Sequence, residues 1–260
     1  MGTIYLLEAL REYQAQRTLE ATPIAAVMIT TDKCYENNGA GTPFSEEASL
    51  GGHDPYSSSK AMDEIAIAAY RASFFQQTSQ IRLASARAGN VIGGGDMALD
   101  RIVPDGIRAL EKNSPIAVRH PNATRPWQHV LEPLSGYLWL GARLIEDSKL
   151  ATAFNFGPDP KKNYSVHDVV SQLLRHWPGT WKDNSDPNAL HEAPLLNLSI
   201  AKAASLLDWK PVWSFSETIE QTVAWYRSHA ECSVDDLAFT QQQIATYTAA
   251  AQAAGVAWAL

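Results

Sequence analysis

Two clusters of polar residues in the first quarter of the chain have the types and spacing for acid–base chemistry. Tyr56 and Lys60 stand four residues apart in "DPYSSSK". On a helix that spacing puts both on one face. A free phenol ionises near ~10, too high for a base at neutral pH, and a neighbouring ammonium favours the phenolate. The pair therefore suits taking the proton from an alcohol while a hydride leaves its carbon. A Tyr–Lys pair at this spacing is also a common surface contact, so the short motif has two readings. The second cluster is Thr31-Asp32-Lys33, directly after the apolar run "IAAVMIT". By itself it reads as a solvated strand-end turn in which the Asp accepts backbone hydrogen bonds. Its place at the end of a buried strand, where ligands bind on parallel sheets, gives it a second reading as part of a site.

The elements that must position these groups follow from periodicity and punctuation. Leu6, Leu7, Leu10 and Tyr13 recur at helical spacing, predicting an amphipathic helix over 3–17. The run Ile24–Thr30 reads as a buried strand. A polar, glycine-containing loop follows, and Pro55 opens a helix that runs from Tyr56 to about Gln76. "IRLASARAGNVIG" predicts a second strand that runs out at Asn90, and "ATAFNFGP" a third. Helices are expected near 102–112 and 132–146, from Ser165 to His176, and in "SIAKAASLLDW" and "SFSETIEQTVAWYRSHA". Trp127, Trp209 and Trp213 read as core residues. Strands alternate with helices over the first 100 residues, which predicts an α/β fold with a parallel sheet.

Composition excludes several classes. The 260 residues are 45% hydrophobic and 19% charged, with a net charge of -7, so no basic footprint for nucleic acid exists. No apolar run reaches membrane-spanning length. Two cysteines, Cys34 and Cys232, are too few for a disulfide scaffold or a zinc cluster, and no metal site is expected. Reduced thiols and the lack of a signal-like start predict a cytoplasmic protein.

The segments "TDKCYEN", "DPYSSSK", "ARAGNVIGGGD", "RIVPDGIRAL", "HPNATRPWQHVLEPLSGYLWL", "FNFGP" and "LDWKP" resemble, in order, those of the nucleotide-sugar 4,6-dehydratases. These belong to the extended branch of the short-chain dehydrogenase/reductases, and the Asp-Lys pair resembles their CDP-glucose members. The resemblance implies that Thr31, Tyr56 and Lys60 form the catalytic core, with Tyr56 and Lys60 also contacting NAD. It implies that Asp32 is the acid and Lys33 the base of an elimination that an epimerase does not need. It implies CDP-glucose as substrate, with Asn90, Arg101, Arg125, His129, His191 and Glu192 on the substrate side. The Arg candidates suit a diphosphate because a guanidinium pairs with two phosphate oxygens.

The family's Gly-rich strand–turn–helix for the NAD pyrophosphate has no counterpart in these 260 residues. Gly93-Gly94-Gly95 does not match G-x-G-x-x-G and reads as a flexible substrate-side loop. The resemblance therefore implies a partial Rossmann-like sheet that lacks its first strands. It sets residues 1–100 as the half carrying the catalytic groups, 101–232 as a smaller α/β substrate region, and 233–260 as a helical tail. The expectation is an N-terminally shortened form that assembles as a homo-oligomer through helices 3–17 and 56–76. A non-catalytic nucleotide-sugar-binding or dimerising remnant, and another nucleotide-sugar epimerase or dehydratase, are the alternatives.

Overall fold

A computed structural model describes residues 1–17, 22–37, 39, 41–76, 80–186 and 196–260. The chain divides into two compact units, each assembled from three stretches. The first comprises Met1–Gly89, Leu134–Phe156 and Leu198–Lys210; the second comprises Asn90–Pro133, Gly157–Asn197 and Pro211–Leu260.

The first unit is built on a parallel sheet. Its strands are β1 (Ile24–Ile29), β2 (Ile81–Ala88) and β7 (Ala153–Phe156), in the order β1-β2-β7. Ile24 lies opposite Ile81 and Ile29 opposite Ala86, while Ser85 starts the pairing with Ala153. Parallel neighbours need a crossover, and α2 (Pro55–Ser73) supplies the one between β1 and β2. Pro55 occupies the first turn as expected, and Asp54 caps the helix by accepting from the amides of Tyr56 and Ser57. Helix α1 (Gly2–Ala15) packs on α2, and Leu7, Ile67, Phe75, Ile81 and Leu83 form the shared core. Each such side chain, fully buried, stabilises the fold by roughly 1.5–3 kcal/mol. Most of helix α4 (Leu131–Glu146) and all of α6 (Ala201–Leu207) complete this unit. Among the described residues β1 is a sheet edge, and Ile29 at its end is 53% exposed.

The second unit is mostly helical, with short strand pairs. Strand β3 (Val91–Ile92) pairs with β6 (Gln128–His129), β4 (Ile116–Val118) with β9 (Trp181–Asp183), and β5 (Thr124–Arg125) with β8 (Tyr164–Ser165). Its helices are α3 (Ile102–Glu111), α5 (Val166–His176), α7 (Phe215–Glu231) and α8 (Asp236–Ala253). Ser165 and Ser214 each make a reciprocal capping box, with Asp168 and Glu217. The core joins Val103, Ile107, Val169, Leu173, Val223 and Trp225.

Two expectations change here. The loop Gly93–Gly95 is packed rather than free: a Cβ on Gly94 would stand 2.6 Å from that of Trp225, with indole ring atoms nearer still. Those glycines admit a tryptophan, not a phosphate. The C-terminal segment is part of the second unit, because Tyr247 of α8 is buried and donates from its hydroxyl to Glu132 Oε2 at 2.7 Å. Among the described residues no helix is long and apolar enough to cross a membrane.

Candidate active site

β1 ends at Ile29, and the chain then closes a single 3-10 turn over Asp32–Cys34. Thr31 caps that turn. Its hydroxyl accepts from the Lys33 amide at 3.3 Å and donates to Asp32 Oδ1 at 3.0 Å. Asp32 is 2% exposed, while Thr31 and Lys33 are half-buried. The turn packs against α2. Tyr56 and Lys60 lie on the first turns of that helix, with Tyr56 56% exposed and the Lys60 Nζ 5.9 Å from the centre of its ring. Lys60 also pairs with Asp63 at 3.3 Å. The structure thus brings Thr31, Asp32, Lys33, Tyr56 and Lys60 onto two elements in direct contact. The i, i+4 expectation for Tyr56 and Lys60 holds as an ammonium over an aromatic face.

A buried polar network anchors this assembly. Arg87 of β2 donates to Glu64 of α2 at 2.7 Å, with side chains 4% and 2% exposed. Ser85 Oγ donates to the same carboxylate at 2.8 Å, and Thr30, the residue before Thr31, donates to its other oxygen. Arg87 also donates to the Tyr35 hydroxyl at 2.7 Å, which donates in turn to Asn155 Oδ1 of β7 at 2.7 Å. Burial tends to raise the Glu64 carboxyl, but the Arg87 hydrogen bond and charge outweigh it and hold the group below its ordinary value. Burial pushes the neighbouring Cys34 thiol up to about 12, so it is no nucleophile. One network therefore ties β2, β7, α2 and the turn that follows β1 together.

Sequence reasoning passed over Glu64, Arg87 and Gly89. Two signals were available. Glu64 lies four residues beyond Lys60, on the same helix face. Arg87 is a charge near the end of a buried strand, and a buried charge needs a partner. Tyr137 of α4 was also missed. Burial, then the charge of Asp32, raise its phenol above the usual range.

The substrate-side candidates of the second unit are placed as follows. Asn90 has a left-handed backbone, φ 44°, which Asn tolerates better than most residues, and its carbonyl accepts from the Gln128 amide at 3.4 Å. Arg101 immediately precedes α3, is largely exposed, and pairs with Asp96 at 2.9 Å. Arg125 is 7% exposed and donates to the Thr124 carbonyl at 2.8 Å. His129 is 1% exposed, accepts at Nδ1 from the Leu131 amide at 3.3 Å, and meets Trp213 edge-on at 4.8 Å. Burial pushes this imidazole down to about 4. His191 and Glu192 lie outside the described residues. Trp127, Trp209 and Trp213 are all buried.

The donors present fit one end of a dinucleotide. An open phenol and an ammonium at one helix start can hold a ribose by hydrogen bonds. No glycine-rich cradle for a pyrophosphate stands among the described residues, since Gly93–Gly95 is filled by Trp225 and Val130.

Comparison with known proteins gives the same direction. Residues 1–222 match the family model described as GDP-mannose 4,6 dehydratase. The chain is 38% identical over 257 residues to the CDP-glucose 4,6-dehydratase of Salmonella typhimurium, covering 96% of this chain and 69% of that protein. It is 23% identical over 239 residues to a dTDP-glucose 4,6-dehydratase of Xanthomonas campestris pv. campestris, covering 87% of this chain and 64% of that protein. The crystal structure of dTDP-glucose 4,6-dehydratase from Bacillus anthracis in complex with NAD superposes with a TM-score of 0.72 at 22% identity. That match covers 88% of this chain and 68% of the other, and shows a shared Rossmann-like fold.

Proposed function

The chain belongs to the GDP-mannose 4,6 dehydratase family, and from that premise we propose that it acts on a nucleotide sugar as a 4,6-dehydratase, with CDP-glucose as substrate and NAD as cofactor. The observation that carries this reading is the Thr31–Lys33 turn packed on the helix that bears Tyr56 and Lys60. The acid–amine pair beside the Tyr–Lys pair is what an elimination adds to an alcohol oxidation.

In this reading Thr31 orients the C4 hydroxyl of the glucose and Tyr56 takes its proton. Lys60 supports the phenolate and, with Tyr56, holds the nicotinamide ribose. NAD, when bound, supplies the hydride acceptor at C4 and the hydride that returns at C6. The C4 ketone acidifies the C5 proton, which Lys33 removes. The C5–H electrons form the C5–C6 double bond as the C6–O bond breaks, and Asp32 gives its proton to the departing hydroxyl, which leaves as water. A proton returned to C5 completes the 4-keto-6-deoxy sugar. Both groups must be placed before the reaction, which is what a capped turn on a packed helix provides. Asn90, Arg101, Arg125, His129, His191 and Glu192 are the proposed nucleotide and sugar contacts; the buried Arg125 is the best suited to a diphosphate.

The apolar residues left outside on α1 and α2 support self-association as part of the same reading. Tyr5 is 67% exposed, Leu6 50%, Met62 62% and Ile65 55%. Sedimentation should show a dimer that Met62→Glu/Ile65→Glu splits. A monomer at micromolar concentration refutes the assembly.

Incubation of the protein with CDP-glucose and NAD tests the activity through the absorbance of the keto product in alkali. The reading expects product, and a loss of at least about a hundredfold in Lys33→Ala, the size of a lost general base. Undiminished turnover by Lys33→Ala removes the elimination role from that residue.

A further inference from the structure

Gly89 is the last residue of the first unit, one position beyond β2. It is not among the glycines with a positive φ, so its backbone does not call for glycine. Its surroundings do. A Cβ built on Gly89 would have as its three nearest neighbours the three terminal atoms of the Asp32 side chain. Oδ1 would stand at 2.9 Å, with Cγ and Oδ2 closer still. Asp32 is 2% exposed, so its carboxyl is enclosed where it meets Gly89. Thr31 donates to its Oδ1 at 3.0 Å. The carboxyl is thus held by a hydroxyl and rests against a bare Cα.

We propose that Gly89 is a positioning residue for Asp32: the side chain it lacks is the seat in which the acid of the elimination lies. The catalytic half of this proposal rests on the reading of Asp32 given above; the steric half does not. One methyl group at position 89 fills the seat and displaces the carboxyl. A displacement of about 1 Å costs a reaction on the order of a hundredfold in rate.

Two measurements on one set of variants test both halves. Thermal unfolding of Gly89→Ala, Asp32→Ala and the double variant reads the steric half. Gly89→Ala lowers the melting temperature by several degrees in the native background. In the Asp32→Ala background the same change is neutral or slightly stabilising, because alanine at an unstrained glycine position restricts the unfolded chain. Equal destabilisation in both backgrounds overturns the proposal. Should Gly89→Ala not fold, the double variant decides: it must fold, and its failure to fold overturns the proposal as well.

Turnover of CDP-glucose with NAD reads the catalytic half. Gly89→Ala lowers kcat about a hundredfold with KM changed less than about threefold, as loss of an acid used only in the transition state requires. Added to Asp32→Asn, it causes no further loss in kcat. Sign reversal in stability with kcat unchanged overturns the positioning role by removing the acid role from Asp32, and leaves the seat as packing alone.

Discussion

Arg87→Leu is the perturbation that most directly tests how the candidate site is held. The substitution keeps an apolar stem in β2 and removes a cation that Glu64 meets at 2.7 Å, both side chains being almost fully buried. Glu64 would keep hydrogen bonds from Thr30 and Ser85 but lose the guanidinium that pairs with it. Tyr35 would lose a donor at 2.7 Å. Removing one partner of a buried pair typically costs about 3–5 kcal/mol, because the other charge stays uncompensated. For a chain of this size that is a fall in melting temperature of roughly 6–20 °C. The double variant Arg87→Leu/Glu64→Gln should be less destabilised than the sum of the singles by at least about 2 kcal/mol. Urea unfolding of the four proteins at pH 7 measures this. The pH dependence supplies an independent sign. Glu64 is held below its ordinary 4.5, so its contribution is complete above that pH and fades as pH falls through the lower, folded value. The gap between native protein and Glu64→Gln should therefore narrow in acid. Singles that each cost under about 1 kcal/mol and add, as exposed ion pairs do, would refute the idea that this pair holds the turn to α2.

Further outcomes follow from other buried groups. His129 ionises at about 4 in the fold against 6.5 ordinarily, so the unfolded chain binds the proton first and stability falls as pH drops between those values. At about 1.4 kcal/mol per tenfold the loss reaches roughly 3 kcal/mol, and His129→Gln should flatten it in urea titrations between pH 7 and 4. Tyr247→Phe takes a donor at 2.7 Å from the buried Glu132 carboxylate and should cost about 1–3 kcal/mol by thermal unfolding. Of the two thiols, the exposed Cys232 should react with a disulfide reagent in the native protein, and the buried Cys34 only on unfolding.

Much of the arrangement was legible in the residues themselves. Pro55 behind Asp54 marks the start of α2, and the Tyr56–Lys60 spacing puts that pair on one face of its first turns. The apolar runs of β1 and β2 and the Ser caps at 165 and 214 mark their elements with similar clarity. These signals are local, and local signals survive folding because capping and periodicity are short-range effects. What stayed hidden depends on distant pairs. Gly89 means nothing until Asp32 lies against it. Gly94 looks like a phosphate-loop residue until Trp225 fills the space beside it. Tyr247 seemed part of a tail until it reached Glu132. Pairings of two residues, such as β3 with β6, are too short to show any period. Neither compact unit is continuous in sequence, so linear order alone does not outline them.

Proton NMR of CDP-glucose incubated with NAD and this protein in deuterium oxide tests the central claim most directly. A 4,6-dehydratase yields a 4-keto sugar with a new C6 methyl group and solvent deuterium at C5, both lost in Lys33→Ala. Inversion at C4 with the C6 hydroxymethyl intact would identify an epimerase and contradict the account.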